Sequence, residues 1–505
     1  MFSLVDYAYD TPNLDYIDKS RIAATGHSAG GNAAIRGANY FGKQAIKTGK
    51  PSKLHSVYVS GYVITLRNNV LSDVRSNVGV AYALYDEGAF RNKAPKGVAP
   101  HKWVLADMKT LPNSVKTVNS GLPKSEHISE VELGHYYGSL DDRSLRVIFN
   151  ERILHPFQPY MQEAMANQIQ YFETVFNWQS PMPSTDQVWY WKELMSMISM
   201  VAAMIMLIPL GHLLLASIPF FRTIVQPLPQ AQPQPVGKGK LVFWGLFVLG
   251  ATIAAFSYIP MTNLSIVMFP DASNRIMTWY FPQRMNNGVM LWALFNGLVG
   301  FALFYLAYRF FGKKRGIGPQ MWGVKVSLAE LGSTFILALV IFLCYYLLLF
   351  SLYYFFHVDY RFLFMGVRPF QPVLVLLMIM YAPVFFIFFL SNSLRVNGAM
   401  RIDGQAEWRS MLLAGAANSL GLFLIIVVQY VTFAWTGTVF WSAADGVQSW
   451  LYINLLFAVV PIMFVLPYFN RYFFRMTGRI YLGPMTMCLI FIMILLSNTV
   501  SYTPL

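Results

Sequence analysis

The sequence predicts two dissimilar parts: a parallel α/β sheet domain over residues 1–180 and, after a linker at 181–195, an all-α transmembrane domain of about eight helices over 196–505. Three observations carry this. The first 195 residues hold 20 basic and 18 acidic side chains, a net charge of +2, whereas the other 310 hold 18 and 6, a net charge of +12. Apolar residues make up 55% of the chain and gather, beyond residue 195, into runs of bilayer-spanning length. Near the amino terminus an apolar strand ends in G-x-S-x-G at Gly26, Ser28 and Gly30, and a helix-compatible stretch from Asn32 to Lys47 follows.

This composition excludes disorder and fibrous repeats. The basic excess belongs to the membrane half, where Lys and Arg flank apolar spans and orient them, so it does not point to nucleic acid. Cys344 and Cys488 both fall inside apolar spans, which leaves no disulfide framework and no Cys-based zinc site in the first half. No H-E-x-x-H or comparable cluster suggests a metal, and no cofactor is implied.

In the first half, Phe2 to Tyr9 reads as the end of a helix, followed by the strand that delivers Ser28. The turn after that strand forces the serine into a strained backbone, and side chains at the flanking glycines are expected to clash with the crossing strand and helix. Lys53 to Leu66 reads as the next strand and Asn77 to Tyr85 as the third, with Asp86, Glu87 and Gly88 directly at its carboxyl end. Leu145 to Leu154 reads as the fourth, delivering His155 to the mouth of a loop before a helix from about Met161 to Phe176.

A serine hydroxyl becomes a nucleophile when a histidine takes its proton and a carboxylate holds that histidine in the required tautomer. Ser28, Asp86 and His155 are the candidates in that order, with the Ala29 amide as the oxyanion donor. Glu87 competes with Asp86 for the acid role, and His135 competes with His155 but lies about 25 residues before the final helix. His27, inside the motif, is expected to pack beside the nucleophile rather than act as the base.

On the G-x-S-x-G turn and the order Ser28, Asp86, His155 along the strands, residues 1 to about 178 resemble the α/β-hydrolase superfamily. The resemblance implies a serine esterase-like activity on a carboxylic ester or related acyl substrate. It also implies about four strands ahead of the elbow strand, where only some 20 residues stand, so the domain reads as the carboxyl-terminal half of the fold. Two consequences are expected: an exposed parallel edge at the elbow strand, and the lack of the second oxyanion donor, which costs on the order of 100- to 1,000-fold in rate. The stretch from Met1 to Tyr7 has neither a basic nor an apolar export region, so the chain is read as the later part of a longer protein with an upstream export segment.

In the second half the expected spans are 196–220, 241–260, 288–311, 332–356, 372–394, 410–435, 449–469 and 480–499, with a proline-rich connector from Gln226 to Val236 after the first. The odd loops carry 14 basic residues and the even loops 4, which places the odd loops in the cytoplasm and the first domain outside. Within the spans only His212 is ionisable and deep; Glu330 sits at an edge, and Asn296, Asn418, Gln429 and Asn454 are expected to hydrogen-bond between helices. No charge pair is expected inside the spans.

The resulting expectation is a serine hydrolase anchored in a bacterial plasma membrane, acting at its outer face on an acyl ester, with the lipid bilayer and no nucleic acid as partner. The alternative is a membrane transporter or membrane-embedded enzyme carrying an accessory or inactive hydrolase domain. Substrate identity and oligomeric state are not legible in the sequence.

Overall fold

The computed structural model describes residues 1–98, 104–442 and 449–504. The chain forms two compact units, one of Met1–Val188 with Gln429–Gly446, the other of Trp189–Val428 with Val447–Leu505.

The α/β unit begins with α1 (Phe2–Asp10) and then alternates β1 (Ala23–His27), α2 (Ala29–Thr48), β2 (Ser56–Ser60), β3 (Asn77–Ala81), α3 (Pro112–Asn119), β4 (Arg146–Phe149) and α4 (Gln162–Val175). The four strands pair in parallel in the order β1-β2-β3-β4, so β1 stands at an edge. The expected strands all form, each shorter than its apolar run. Beyond the last regular pair, Tyr85 bridges Leu154 in parallel, which carries the β3 and β4 ends forward together.

Strands buried on both faces read as continuous apolar runs, and alternate residues here serve two cores. Val57 and Val59 of β2, Val78 and Val80 of β3 and Ile148 of β4 pack with Ala34, Ile35, Ala38 and Phe41 of α2 and Val118 of α3. From the other face Tyr58, Ala81, Val147 and Phe149 pack with Tyr171 and Val175 of α4. The sheet is therefore the middle of three layers. Arg146, the first residue of β4, is 1% exposed and enters no ion pair among the described residues. Its guanidinium donates to the carbonyls of Ser76 and Leu145 at 3.0 and 2.9 Å and to Ser120 Oγ at 3.1 Å, and burial lowers its pKa to about 10.

Among the described residues seven helices are long and apolar enough to cross a bilayer, which is the composition of an integral membrane protein. They are α5 (Trp189–Ser217), α6 (Lys238–Met268), α7 (Arg284–Ala307), α8 (Leu328–Phe356), α9 (Pro372–Leu394), α10 (Glu407–Thr436) and α11 (Ser449–Thr477). From Gln429 onward α10 belongs to the α/β unit. The expected eighth span is instead α12 (Leu482–Ser497), of 16 residues. At 1.5 Å per residue it reaches about 24 Å, short of the roughly 30 Å hydrocarbon thickness. Eleven of its 16 residues are buried, so its apolarity serves packing inside the bundle.

The polar groups of the helical unit find one another. Asn392 donates to Asn418 at 2.7 Å and accepts from Asn470 at 2.8 Å, and Asn296 donates to Ser257 at 3.0 Å. His212 is exposed on α5. Ion pairs, which the sequence reading does not foresee, join distant segments: Glu407 with the buried Arg471 at 2.9 Å, Glu330 with Arg479 at 3.0 Å, and Glu193 with Arg361. They escape notice in the sequence because the partners lie between 64 and 168 residues apart.

Candidate active site

A parallel sheet collects its strand carboxyl ends on one edge, and three residues meet there. Ser28 follows β1 directly and heads α2, with φ 56° and ψ −113°. A β-carbon at this φ is strained by about 1–3 kcal/mol, and local contacts hold it in place. The Ser28 amide donates to the Ser60 carbonyl at 2.8 Å at the end of β2, and the Ser28 carbonyl accepts the first helical bond, from Asn32 at 3.1 Å.

The glycines around the turn divide by function. A Cβ at Gly26 would lie 2.4 Å from the Gly30 carbonyl carbon, and one at Gly31 would lie 2.8 Å from the Ser60 oxygen. A Cβ at Gly30 would meet nothing within 4 Å. The expectation that both motif glycines avoid clashes therefore holds for Gly26, and the second close approach is made at Gly31, outside the motif.

His155 reaches the site from the end of the β4 extension. Its Nδ1 bonds Asp86 Oδ2 at 2.6 Å and its Nε2 bonds Ser28 Oγ at 3.0 Å. Asp86 is fully buried in its side chain, and its other oxygen accepts from the Gly88 amide at 2.7 Å. Burial raises the carboxyl pKa, but the His155 charge and hydrogen bond outweigh it, so Asp86 lies below its ordinary value. For His155 burial opposes protonation, and the Asp86 carboxylate overcomes it to place the imidazole above its ordinary value. An anionic Asp86 fixes the proton on Nδ1 and leaves Nε2 to accept from the serine hydroxyl.

Glu87 does not touch the imidazole. Its Oε2 accepts from the His155 backbone amide at 3.0 Å and its Oε1 from the Tyr430 hydroxyl at 2.6 Å, so it braces the main chain of the histidine. Burial, then the Asp86 charge, push its pKa up to about 7. Tyr430 belongs to the second chain segment of this unit, 343 residues from Glu87, and no motif in the sequence announces it. A third buried carboxylate, Glu151, accepts from Gln158 at 2.8 Å and from Asn167 at 2.9 Å, which ties the β4 end to α4.

His27 packs its ring 4.7 Å from that of His155 and bonds Ser60 Oγ through Nδ1 at 3.1 Å. Burial, then the His155 charge, lower its pKa to about 3, so it stays neutral beside the base. His135 packs edge-to-face with Tyr137, with ring centroids 4.5 Å apart, and is not part of the constellation. Ala29 is exposed as the first residue of α2, where the amide has no acceptor within the helix and faces a developing negative charge favourably. Among the described residues no group of three or more His, Cys, Asp or Glu is placed to hold a metal ion.

No protein-family model, no curated protein and no solved structure matches this chain.

The glycine contacts give a direct expectation. Gly26→Ala in the full chain forces the crossing of strand and helix apart and should destabilise by about 1–3 kcal/mol, seen as a lower unfolding temperature, whereas Gly30→Ala should leave that temperature within error of the parent. Equal losses for the two would contradict the packing described for the turn.

Proposed function

We propose that the protein is a membrane-bound serine hydrolase of the α/β-hydrolase type that cleaves carboxylic esters at the outer face of a bacterial plasma membrane. The observation that carries this reading is the continuous relay from Asp86 Oδ2 to His155 Nδ1 at 2.6 Å and from His155 Nε2 to Ser28 Oγ at 3.0 Å, with the serine at positive φ. The sequential parallel order of the strands, with serine after the first, acid after the third and histidine after the fourth, agrees with the resemblance seen in the sequence.

In this mechanism His155 Nε2 takes the hydroxyl proton as Ser28 Oγ bonds the ester carbonyl carbon. The carbonyl oxygen becomes an oxyanion facing the Ala29 amide. As the tetrahedral species collapses, the carbon to alkoxide bond breaks and the alcohol leaves with the proton from His155. A water molecule, deprotonated by His155, then attacks the acyl-serine, and the carboxylic acid departs as the proton returns to Ser28. Asp86 keeps the imidazole oriented and stabilises its charged form in both halves.

The outward placement rests on the 14 to 4 excess of basic residues in the odd loops. The make-up of the α/β unit, which joins the amino-terminal region to the end of the sixth span, agrees with an even number of crossings between them and holds in either orientation. Placement beside the bilayer favours a hydrophobic acyl ester as substrate.

Cells expressing the full chain should hydrolyse a membrane-impermeant short-chain ester, and Ser28→Ala should lower that rate on the order of 10⁴-fold or more. Activity seen only after lysis would reverse the orientation and leave the chemistry standing, whereas unchanged activity in Ser28→Ala would remove the mechanism. The base must be neutral to act, so log kcat/KM should fall as pH drops through a His155 pKa raised above its ordinary 6.5. A profile that stays flat from pH 8 down to pH 5 would exclude His155 as the base.

A further inference from the structure

Within the helical unit, α6, α7, α9 and α10 surround a cavity of about 160 Å³. Its wall is mostly apolar, with Phe247, Trp292, Leu303 and Phe388 around it. Arg395 and Asn418 stand together on the same wall. Arg395 opens a π-helical turn, Arg395–Ala399, of the kind that recurs at functional sites in membrane and soluble helices.

The electrostatics of Arg395 differ from those of its neighbours. Three acids of the helical unit are ion-paired with other arginines: Glu407 with Arg471, Glu330 with Arg479 and Glu193 with Arg361. Among the described residues Arg395 enters no ion pair. Its Nη2 donates to the amide oxygen of Asn418, which also accepts from Asn392, and its buried Nε has no hydrogen-bond partner. A neutral amide satisfies one of five donors and none of the charge. A guanidinium at the end of a membrane helix with its Nε buried calls for a counter-charge, and no described residue provides one in an ion pair.

We propose that this cavity binds the head and first methylenes of an anionic amphiphile, a carboxylate or phosphate on an aliphatic chain, with the anion on Arg395 and Asn418. Guanidinium is suited to this, because its planar fork pairs two oxygens of a carboxylate or phosphate at once. The volume is that of an apolar cavity able to take a benzene-sized molecule, so it houses the part of the chain next to the head, with the remainder in the lipid. The inference stands on the helical unit alone and does not depend on the hydrolase reading.

The test is binding of radiolabelled palmitate to the purified full-length protein in detergent micelles, with unlabelled competitors. Saturable binding is expected that excess palmitate displaces and methyl palmitate, which lacks the charge, does not. Arg395→Gln should weaken binding about 10- to 100-fold, Arg395→Lys, which keeps the charge but not the fork, should restore part of it, and Ala307→Phe, which fills the cavity at its wall, should weaken binding with the charge intact. Displacement by dioleoyl phosphatidic acid as well as palmitate would assign the site to a membrane lipid headgroup, and displacement by palmitate alone would assign it to a free fatty acid; either supports the proposal. Equal competition by methyl palmitate, or unchanged binding in a monodisperse Arg395→Gln protein, would overturn it. If Arg395→Gln fails to fold, the comparison of acid with ester on the parent protein and the Ala307→Phe variant decides.

Discussion

Parallel pairing constrains everything else in the α/β unit. Four strands running the same way put their carboxyl ends on one edge, so residues 28, 86 and 155, far apart in the chain, arrive within hydrogen-bond distance of one another. The pairing in turn depends on burial of both sheet faces, with α2 and α3 on one side and α4 on the other. A one-residue slip in β3 would exchange Val78 and Val80 for Gly79 and Ala81 across the two cores and move Asp86 off the histidine. Packing and chemistry are thus fixed by the same register.

Charge is handled differently in the two units. Around the site the buried carboxylates are Asp86, Glu87 and Glu151, and none is neutralised by a directly bonded Lys or Arg in an ion pair within 4 Å among the described residues. Asp86 is held by an imidazole and a main-chain amide, Glu87 by an amide and a phenol, and Glu151 by two side-chain amides. The His155 charge and hydrogen bond outweigh burial and hold Asp86 below its ordinary value, while burial and then the Asp86 charge raise Glu87 to about 7. Two adjacent carboxyls in one loop are therefore shifted in opposite directions and take different tasks, one on the ring of His155 and the other on its main chain.

Much of this was legible in the sequence for a physical reason. The strand, tight turn and helix around Ser28 form a local pattern, and Asp86 and His155 each stand where an apolar run stops. The long spans were legible because bilayer crossing is a requirement on length and hydropathy alone. What stayed hidden depends on tertiary contact. Gly31 rather than Gly30 makes the second close approach because of where Ser60 lies across the sheet. Tyr430 is invisible from Glu87, and the isolation of Arg395 emerges only once Glu407 is seen to be taken by Arg471. The eighth apolar run, read as a span over 480–499, forms a helix of only 16 residues, a length that its composition does not announce.

The central claim is that Ser28 is a nucleophile made reactive by His155. The most direct measurement is mass spectrometry of the full-length protein after treatment with a fluorophosphonate, which phosphonylates activated serines. A single adduct on the peptide containing Ser28, forming at pH 8 and suppressed at pH 5, where His155 is protonated, is the result this account predicts. An unmodified Ser28 at pH 8, or an adduct that forms equally fast at both pH values, would contradict it.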